Sequence, residues 1–269
     1  MNKQENTFIS IRQIVLCLIA LVFAVSAFAD HHESNNGESN NGESDKGLVL
    51  VAGATGRTGI VTVSELLPQG YRVRAFVRNI DSAHEKLGTE IEFAEGDVRD
   101  RESIDAALDG VSAVVSSIGA GRGDPSNGPE FVDYGGVKNL VEGAVDAGAT
   151  QFVLVSSRGV TQVNQRLNKM FNNILIWKYL GEEAVRNSGI RYTVIRPGGL
   201  SDDPGGEHAF DFLQGDAAAE GRIPRADVAR AVVAALSMPE ASGKTFELVS
   251  GEGPAPASLR DQFAALAAD

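Results

Sequence analysis

Apolar and polar positions along this chain switch repeatedly between a short unbroken run and a helical spacing. Leu48–Ala52 is apolar throughout and reads as a strand buried on both faces. Glycines follow at positions 53, 56 and 59, after which Ile60, Val63 and Leu67 recur at helical spacing. The same switch repeats downstream. Tyr71–Val77, Glu90–Ala94, Val111–Ser117, Gln151–Ser156, Arg191–Arg196 and Thr245–Val249 read as strands. Asp81–Leu87, Arg101–Leu108, Phe131–Ala147, about Asn173–Asn187, the stretch from Pro224 and Asp227 to Leu236, and Ser258–Ala267 read as helices. A glycine- and proline-rich loop, Gly119–Pro129, interrupts them. This alternation predicts a single α/β domain over 47–269, a doubly wound parallel sheet of Rossmann type. Ligands of such a sheet lie at the carboxyl ends of its strands.

The first strand, glycine turn and helix start spell a G-x-x-G-x-x-G variant of the dinucleotide-binding fingerprint: Gly53, Ala54, Thr55, Gly56, Arg57, Thr58, Gly59. Gly53 permits the tight turn, Gly56 lets backbone approach a pyrophosphate, and Gly59 lets the helix pack closely. Amides at the helix start then face the phosphates. The second strand ends Ala75-Phe76-Val77-Arg78, without the acid that would hold the ribose hydroxyls of NAD. Arg78, helped by Arg57, is placed to clamp a 2′-phosphate, which favours NADP(H) over NAD. Asp97 and Val98, after the third strand, are placed to meet the adenine, with Asp97 accepting from its amino group; a plain turn is the alternative.

Further motifs add to the fingerprint: Glu95-Gly-Asp-Val98, Asp133-Tyr-Gly-Gly-Val-Lys-Asn139, Val155-Ser156-Ser157, Asn173-Ile-Leu-Ile-Trp-Lys178, Tyr192-Thr-Val-Ile-Arg-Pro-Gly-Gly-Leu200 and Pro224-Arg-Ala-Asp-Val-Ala229. In this order, from about Gly47 to Val249, they resemble the atypical short-chain dehydrogenase/reductase family. The likeness is to its NAD(P)H-binding-domain branch, which holds NmrA-like sensors and biliverdin-reductase-B-like reductases. The resemblance implies that Ser116–Gly119, with Ser117 and Gly119, line the nicotinamide side. It also implies that Lys178 reaches the nicotinamide ribose and that the segment after Arg196 covers the substrate.

Tyr134 and Lys138 spell the Tyr-x-x-x-Lys pair of typical short-chain dehydrogenases, but on the helix before the fifth strand rather than after it. They read as a packing tyrosine and a surface lysine. On the helix that carries Lys178, the matching position is Ile174, so the usual proton donor is missing. Lys178 could stabilise a developing alkoxide or relay a proton, and Ser156 or Ser157 could hydrogen-bond a substrate carbonyl. For the serines, capping a strand end is an equal alternative. Trp177 reads as core packing. Ser201–Gly206 reads as a flexible loop, with Phe210 and Phe212 roofing a small apolar pocket. His84 and His208 have no partners at ligand spacing and read as surface residues, and no metal site is expected. Neither G-x-S-x-G nor H-E-x-x-H occurs.

Charge and composition narrow the partners. The net charge of −12 argues against nucleic acid or an anionic membrane and leaves a small-molecule substrate. Residues 1–29 carry Lys3, Arg12 and an uncharged run, Ile14–Ala29, ending Ala-Phe-Ala. That pattern reads as a cleaved secretory signal, shorter than the roughly 20 residues that span a bilayer, and predicts an exported, periplasmic protein. An uncleaved membrane tether is the alternative. Cys17, the single cysteine, lies inside this run. Residues 30–46, with the tandem Glu-Ser-Asn-Asn-Gly, read as a disordered linker. Two functions stay open: a reductase passing hydride from NADPH to a small carbonyl, quinone-like or conjugated acceptor, and a non-catalytic NADP(H)-sensing or partner-binding module.

Overall fold

The computed structural model describes residues 46–121, 124–216 and 221–269; the leader and all of the linker but Lys46 lie outside them. Strand β1 (Leu48–Ala52) is buried along its whole length. Its side chains alternate between two cores, as period-two geometry requires. Val49 and Val51 join Val63, Leu66, Val228, Val232, Phe246 and Phe263 on one face. Leu48, Leu50 and Ala52 join Ile104, Leu108, Leu140, Val141 and Val185 on the other.

The chain continues through α1 (Arg57–Leu66), β2 (Arg72–Val77), α2 (Ile80–Leu87), β3 (Glu92–Glu95), α3 (Arg101–Ala107) and β4 (Ala113–Ser116). Next come α4 (Val137–Asp146), β5 (Gln151–Val155), α5 (Arg166–Met170), α6 (Ile174–Arg186) and β6 (Arg191–Pro197). Three short strands, β7 (Gly199–Ser201), β8 (Phe210–Leu213) and β9 (Arg222–Pro224), precede α7 (Arg225–Ser237), β10 (Lys244–Ser250) and α8 (Arg260–Ala265). The main sheet runs β3-β2-β1-β4-β5-β6-β10-β8, parallel except for β8, and β7 pairs with β9 separately. This is the Rossmann-like α/β architecture expected. The strand order reverses between β1 and β4, which opens a crevice at their carboxyl ends.

Several local expectations change. The helix expected over 131–147 is two structures, a π-helical segment Glu130–Gly136 followed by α4. Gly135 and Gly136 lower the cost of that wider winding, and at Gly136 a Cβ would stand 2.6 Å from Val98 Cγ2. Phe210 and Phe212 line a cavity of about 320 Å³ with Leu213, Gln214 and Leu266, which shares no residue with the groove described below. They lie on β8 at the sheet edge, where Phe212 stacks on Phe246 at 4.4 Å and meets Phe263 edge-on at 5.1 Å. The loop after β7 is pinned: Asp202 pairs with Arg225 at 2.6 Å, and the Gly206 amide donates to Asp227 Oδ1 at 2.7 Å. His84 is half-buried, edge-on to Phe93.

Candidate functional site

The crevice beside β1 is a groove of about 300 Å³ at the ends of four parallel strands. Gly53, Thr55 and Gly56 form its floor; Arg78, Asp97, Val98, Ser117 and Gly119 line the walls, together with Phe76, Ile118 and Val132. Gly53 has φ +82°, and a Cβ there would press on the Ser117 carbonyl at 3.0 Å. At Gly59 a Cβ would stand 2.8 Å from Ala54 Cα and closer still to the Gly53 carbonyl oxygen, so helix and turn touch through backbone alone. Gly56 caps α1 with no side-chain hydrogen bond, and the first turn holds no acidic residue. The α1 amides therefore remain available to an anion. These features fit a dinucleotide's pyrophosphate.

At the adenosine end, the Arg78 guanidinium makes no hydrogen bond or ion pair among the described residues and lines the groove. Arg57 and Thr58 do not line it. Arg57 is ion-paired with Asp202, the carboxylate that also holds Arg225. The helping role expected of Arg57 is thus already answered by an internal carboxylate. Asp97 differs too. Its carboxylate takes Arg99 through both oxygens, Nε at 2.9 Å and Nη2 at 2.7 Å. The hydrogen bond from Arg99 holds its carboxyl below the usual range. Asp97 is therefore a partner of Arg99 that faces the groove, rather than a free acceptor awaiting adenine.

Lys178 of α6, expected at the nicotinamide ribose, is likewise not among the groove-lining residues; it places its ammonium 2.7 Å from Asp133 Oδ1 and 3.5 Å from the Ile118 carbonyl oxygen. Asp133, whose side chain is 0 % exposed, comes from the π-helical segment. In the sequence Asp133 stands inside a motif with no role of its own. The usable signal was an acid set among Val132, Gly136, Val137 and Leu140 on an apolar helix face. Ser156 does not face the site: it donates to Glu182 Oε1 at 2.5 Å within a buried network. Arg196 joins Glu182 at 2.7 Å to Glu247 at 3.1 Å in the same network. Ser157 donates to the Arg158 carbonyl oxygen at 3.1 Å and is only part-buried, so it is the serine available at the end of β5. Ile174 opens α6. Tyr134 stacks on half-buried Trp177 with ring centroids 6.1 Å apart, and Lys138 lies exposed, 3.8 Å from Glu142.

A second cavity of about 590 Å³ adjoins the groove and shares Gly121 with it. Pro125, Pro129, Met170, Phe171 and Ile174 give it apolar walls, and Asp124 supplies one charge.

Residues 53–239 match the model of a family described as NAD(P)H-binding. The chain belongs to this NAD(P)H-binding family. It is an oxidoreductase-like family, so the cofactor class is a nicotinamide dinucleotide. An uncharacterized chloroplastic protein of Arabidopsis thaliana is 40 % identical over 225 residues, 75 % of this chain and 69 % of that protein. Sanguinarine reductase of Eschscholzia californica is 33 % identical over 242 residues, 75 % of this chain and 88 % of that enzyme. The chloroplastic protein TIC 62 of Arabidopsis thaliana is 33 % identical over 233 residues, 78 % of this chain but only 36 % of its own length. Among solved structures, a putative NAD-dependent epimerase/dehydratase from Bacillus halodurans superposes with a TM-score of 0.70 at 27 % identity, covering 77 % of this chain and 96 % of that one. The chloroplastic relatives overturn the reading of the leader as a periplasmic export signal. Basic, apolar leaders are shared by more than one targeting route, so the pattern of residues 1–29 alone did not discriminate. No helix among the described residues is long and apolar enough to cross a membrane.

Proposed function

We propose that this protein is an NADPH-dependent reductase that passes hydride to a small carbonyl, quinone-like or conjugated acceptor. The observation that carries this reading is the shared Gly121: a groove lined as a dinucleotide requires adjoins a largely apolar cavity large enough for a compact aromatic molecule. Similarity to a named reductase supports it. Bound in the groove, the nicotinamide supplies the hydride. The chain's residues orient it and handle the charge. The α1 amides and Arg78 would hold phosphates, Ser117 and Gly119 would wall the ring side, and the Lys178 ammonium would offset negative charge growing on the acceptor oxygen. With Ile174 one helical turn before Lys178, no side-chain acid stands at that place, and the proton comes from water. Such a site suits acceptors whose reduced oxyanion is stabilised by conjugation. By the same relatives, we take residues 1–29 as directing the chain to a plastid.

A second reading, a non-catalytic NADP(H)-binding module that engages a protein partner, draws on Ile174 and on the likeness to TIC 62. Fluorescence titration with NADPH and NADH, then turnover with a panel of quinones and aldehydes, separates the two. NADPH should bind about 10- to 150-fold more tightly than NADH, the value of one charge-assisted contact, and Arg78→Ala should erase the difference. Equal affinities in the wild type would sink the NADPH assignment. Tight binding with no turnover on any acceptor would favour the module.

A further inference from the structure

We infer that Asp133 is a positioning residue that fixes both the Lys178 ammonium and the loop after β4 with one carboxylate, so that Lys178 acts on the cofactor only through it. Three observations meet here. Asp133 is fully buried, and its Oδ1 lies 2.7 Å from Lys178 Nζ. Its Oδ2 accepts from the Ala120 amide at 3.0 Å, in the loop whose neighbours Gly119 and Gly121 line the cofactor groove. The residue is delivered by a π-helical segment, a winding with one extra residue per turn that turns a side chain away from the face an α-helix would give it.

The packing leaves this arrangement little freedom. Gly181 sits on α6 one turn beyond Lys178, and a Cβ there would stand 2.5 Å from the Asp133 carbonyl oxygen. The helix bearing the lysine and the segment bearing the aspartate therefore touch backbone to backbone. A carboxylate buried this deeply is retained only with a counter-charge, and among the described residues Lys178 is the one that reaches it. Conversely, the ammonium is held at the Ile118 carbonyl, 3.5 Å away, instead of ranging over its rotamers. Asp133 links α6 to the loop after β4, two stretches distant in sequence.

This inference rests on the cofactor reading above, and the test is a double-mutant cycle on NADPH affinity, read by fluorescence titration. Asp133→Asn keeps an oxygen to accept from Ala120 but removes the charge; Lys178→Met removes the other partner. Each single change should weaken NADPH about tenfold, and the double variant should be no weaker than Lys178→Met alone. Losses that multiply in the double variant would overturn the inference and reduce Asp133 to a structural acid, with NADPH binding intact in the wild type. A wild type that ignores NADPH would remove the cofactor reading and this role together. Circular dichroism and melting curves check that each variant folds. If Asp133→Asn does not, Gly181→Ala carries the test, since its Cβ displaces Asp133 while keeping the charge. Its loss should appear with Lys178 present and vanish in the Lys178→Met background, and a loss in both backgrounds would overturn the inference.

Discussion

Adding one methyl group at Gly59 should unmake the phosphate end of the groove. The Cβ of Gly59→Ala would stand 2.8 Å from Ala54 Cα and from the Gly53 carbonyl carbon. Carbon atoms rest at about 3.5–4.0 Å, so α1 must retreat from the turn by about 1 Å. Neither contact is a flexible side chain that could yield. Overpacking of this kind costs about 1–3 kcal/mol, which for a domain of this size lowers the melting temperature by about 2–12 °C. The same displacement carries the α1 amides off the phosphates, where charge-assisted hydrogen bonds are worth about 1.5–3 kcal/mol, or about 10- to 150-fold in affinity. Two controls bracket the effect. Gly56→Ala meets only the Gly53 carbonyl oxygen at 3.1 Å and should cost less stability, and Gly121→Ala meets no protein atom within 4 Å. Both line the groove, so they serve as controls in thermal melts only, and the NADPH titration compares Gly59→Ala with the wild type. A Gly59→Ala protein that binds NADPH like the wild type would refute the backbone-contact argument.

Phe263→Ala should cost about 3–5 kcal/mol in urea unfolding, because Phe263 is wholly buried against Phe212 and Phe246. NADPH affinity at 25 °C should stay unchanged, since this aromatic cluster stands at the β8 edge, away from the groove. Burial pushes the Glu247 carboxyl up, opposed by Arg196 and reinforced by Asp216, and its Oε2 accepts no hydrogen bond. A carboxyl raised in the folded state contributes stability below its ordinary range that is lost as pH rises. Glu247→Gln lacks that loss, so its melting temperature should gain on the wild type as pH rises above about 4.3, the ordinary glutamate value. A difference that is flat or runs the other way would show that Arg196 dominates.

How much the sequence disclosed follows from which forces act locally. The β1–turn–α1 unit was legible because five apolar residues, three spaced glycines and a helical period lie within twenty positions, and each reports backbone geometry directly. The alternating strands and helices were legible for the same reason. Strand β8 was not: Phe-Asp-Phe-Leu is four residues long, and its pairing with β10 is decided by a partner more than thirty positions away. Of the expected cofactor residues, Gly53, Thr55, Gly56, Arg78, Asp97, Val98, Ser117 and Gly119 share one groove because strand ends converge in this architecture. Side-chain engagement was not so legible. Nothing local in the sequence tells that Arg57 is taken by Asp202 or Ser156 by Glu182, whereas Arg99 stands only two positions from Asp97 and its claim on that carboxylate was within local reach. The Lys178–Asp133 pair joins positions 45 apart and depends on a π-helical winding that no spacing rule predicts.

The groove has no wall made by a single stretch of chain. Its surfaces come from positions 53–56, 76–78, 96–98 and 117–121, each delivered by a different parallel strand. No fragment short of the assembled β3-β2-β1-β4 half can hold a dinucleotide, so the ligand has no template to offer an incomplete chain. Parallel pairings of this kind are non-local and slow to form. The dinucleotide can bind only after these four strands have paired, and its affinity doubles as a gauge of whether half the sheet has closed.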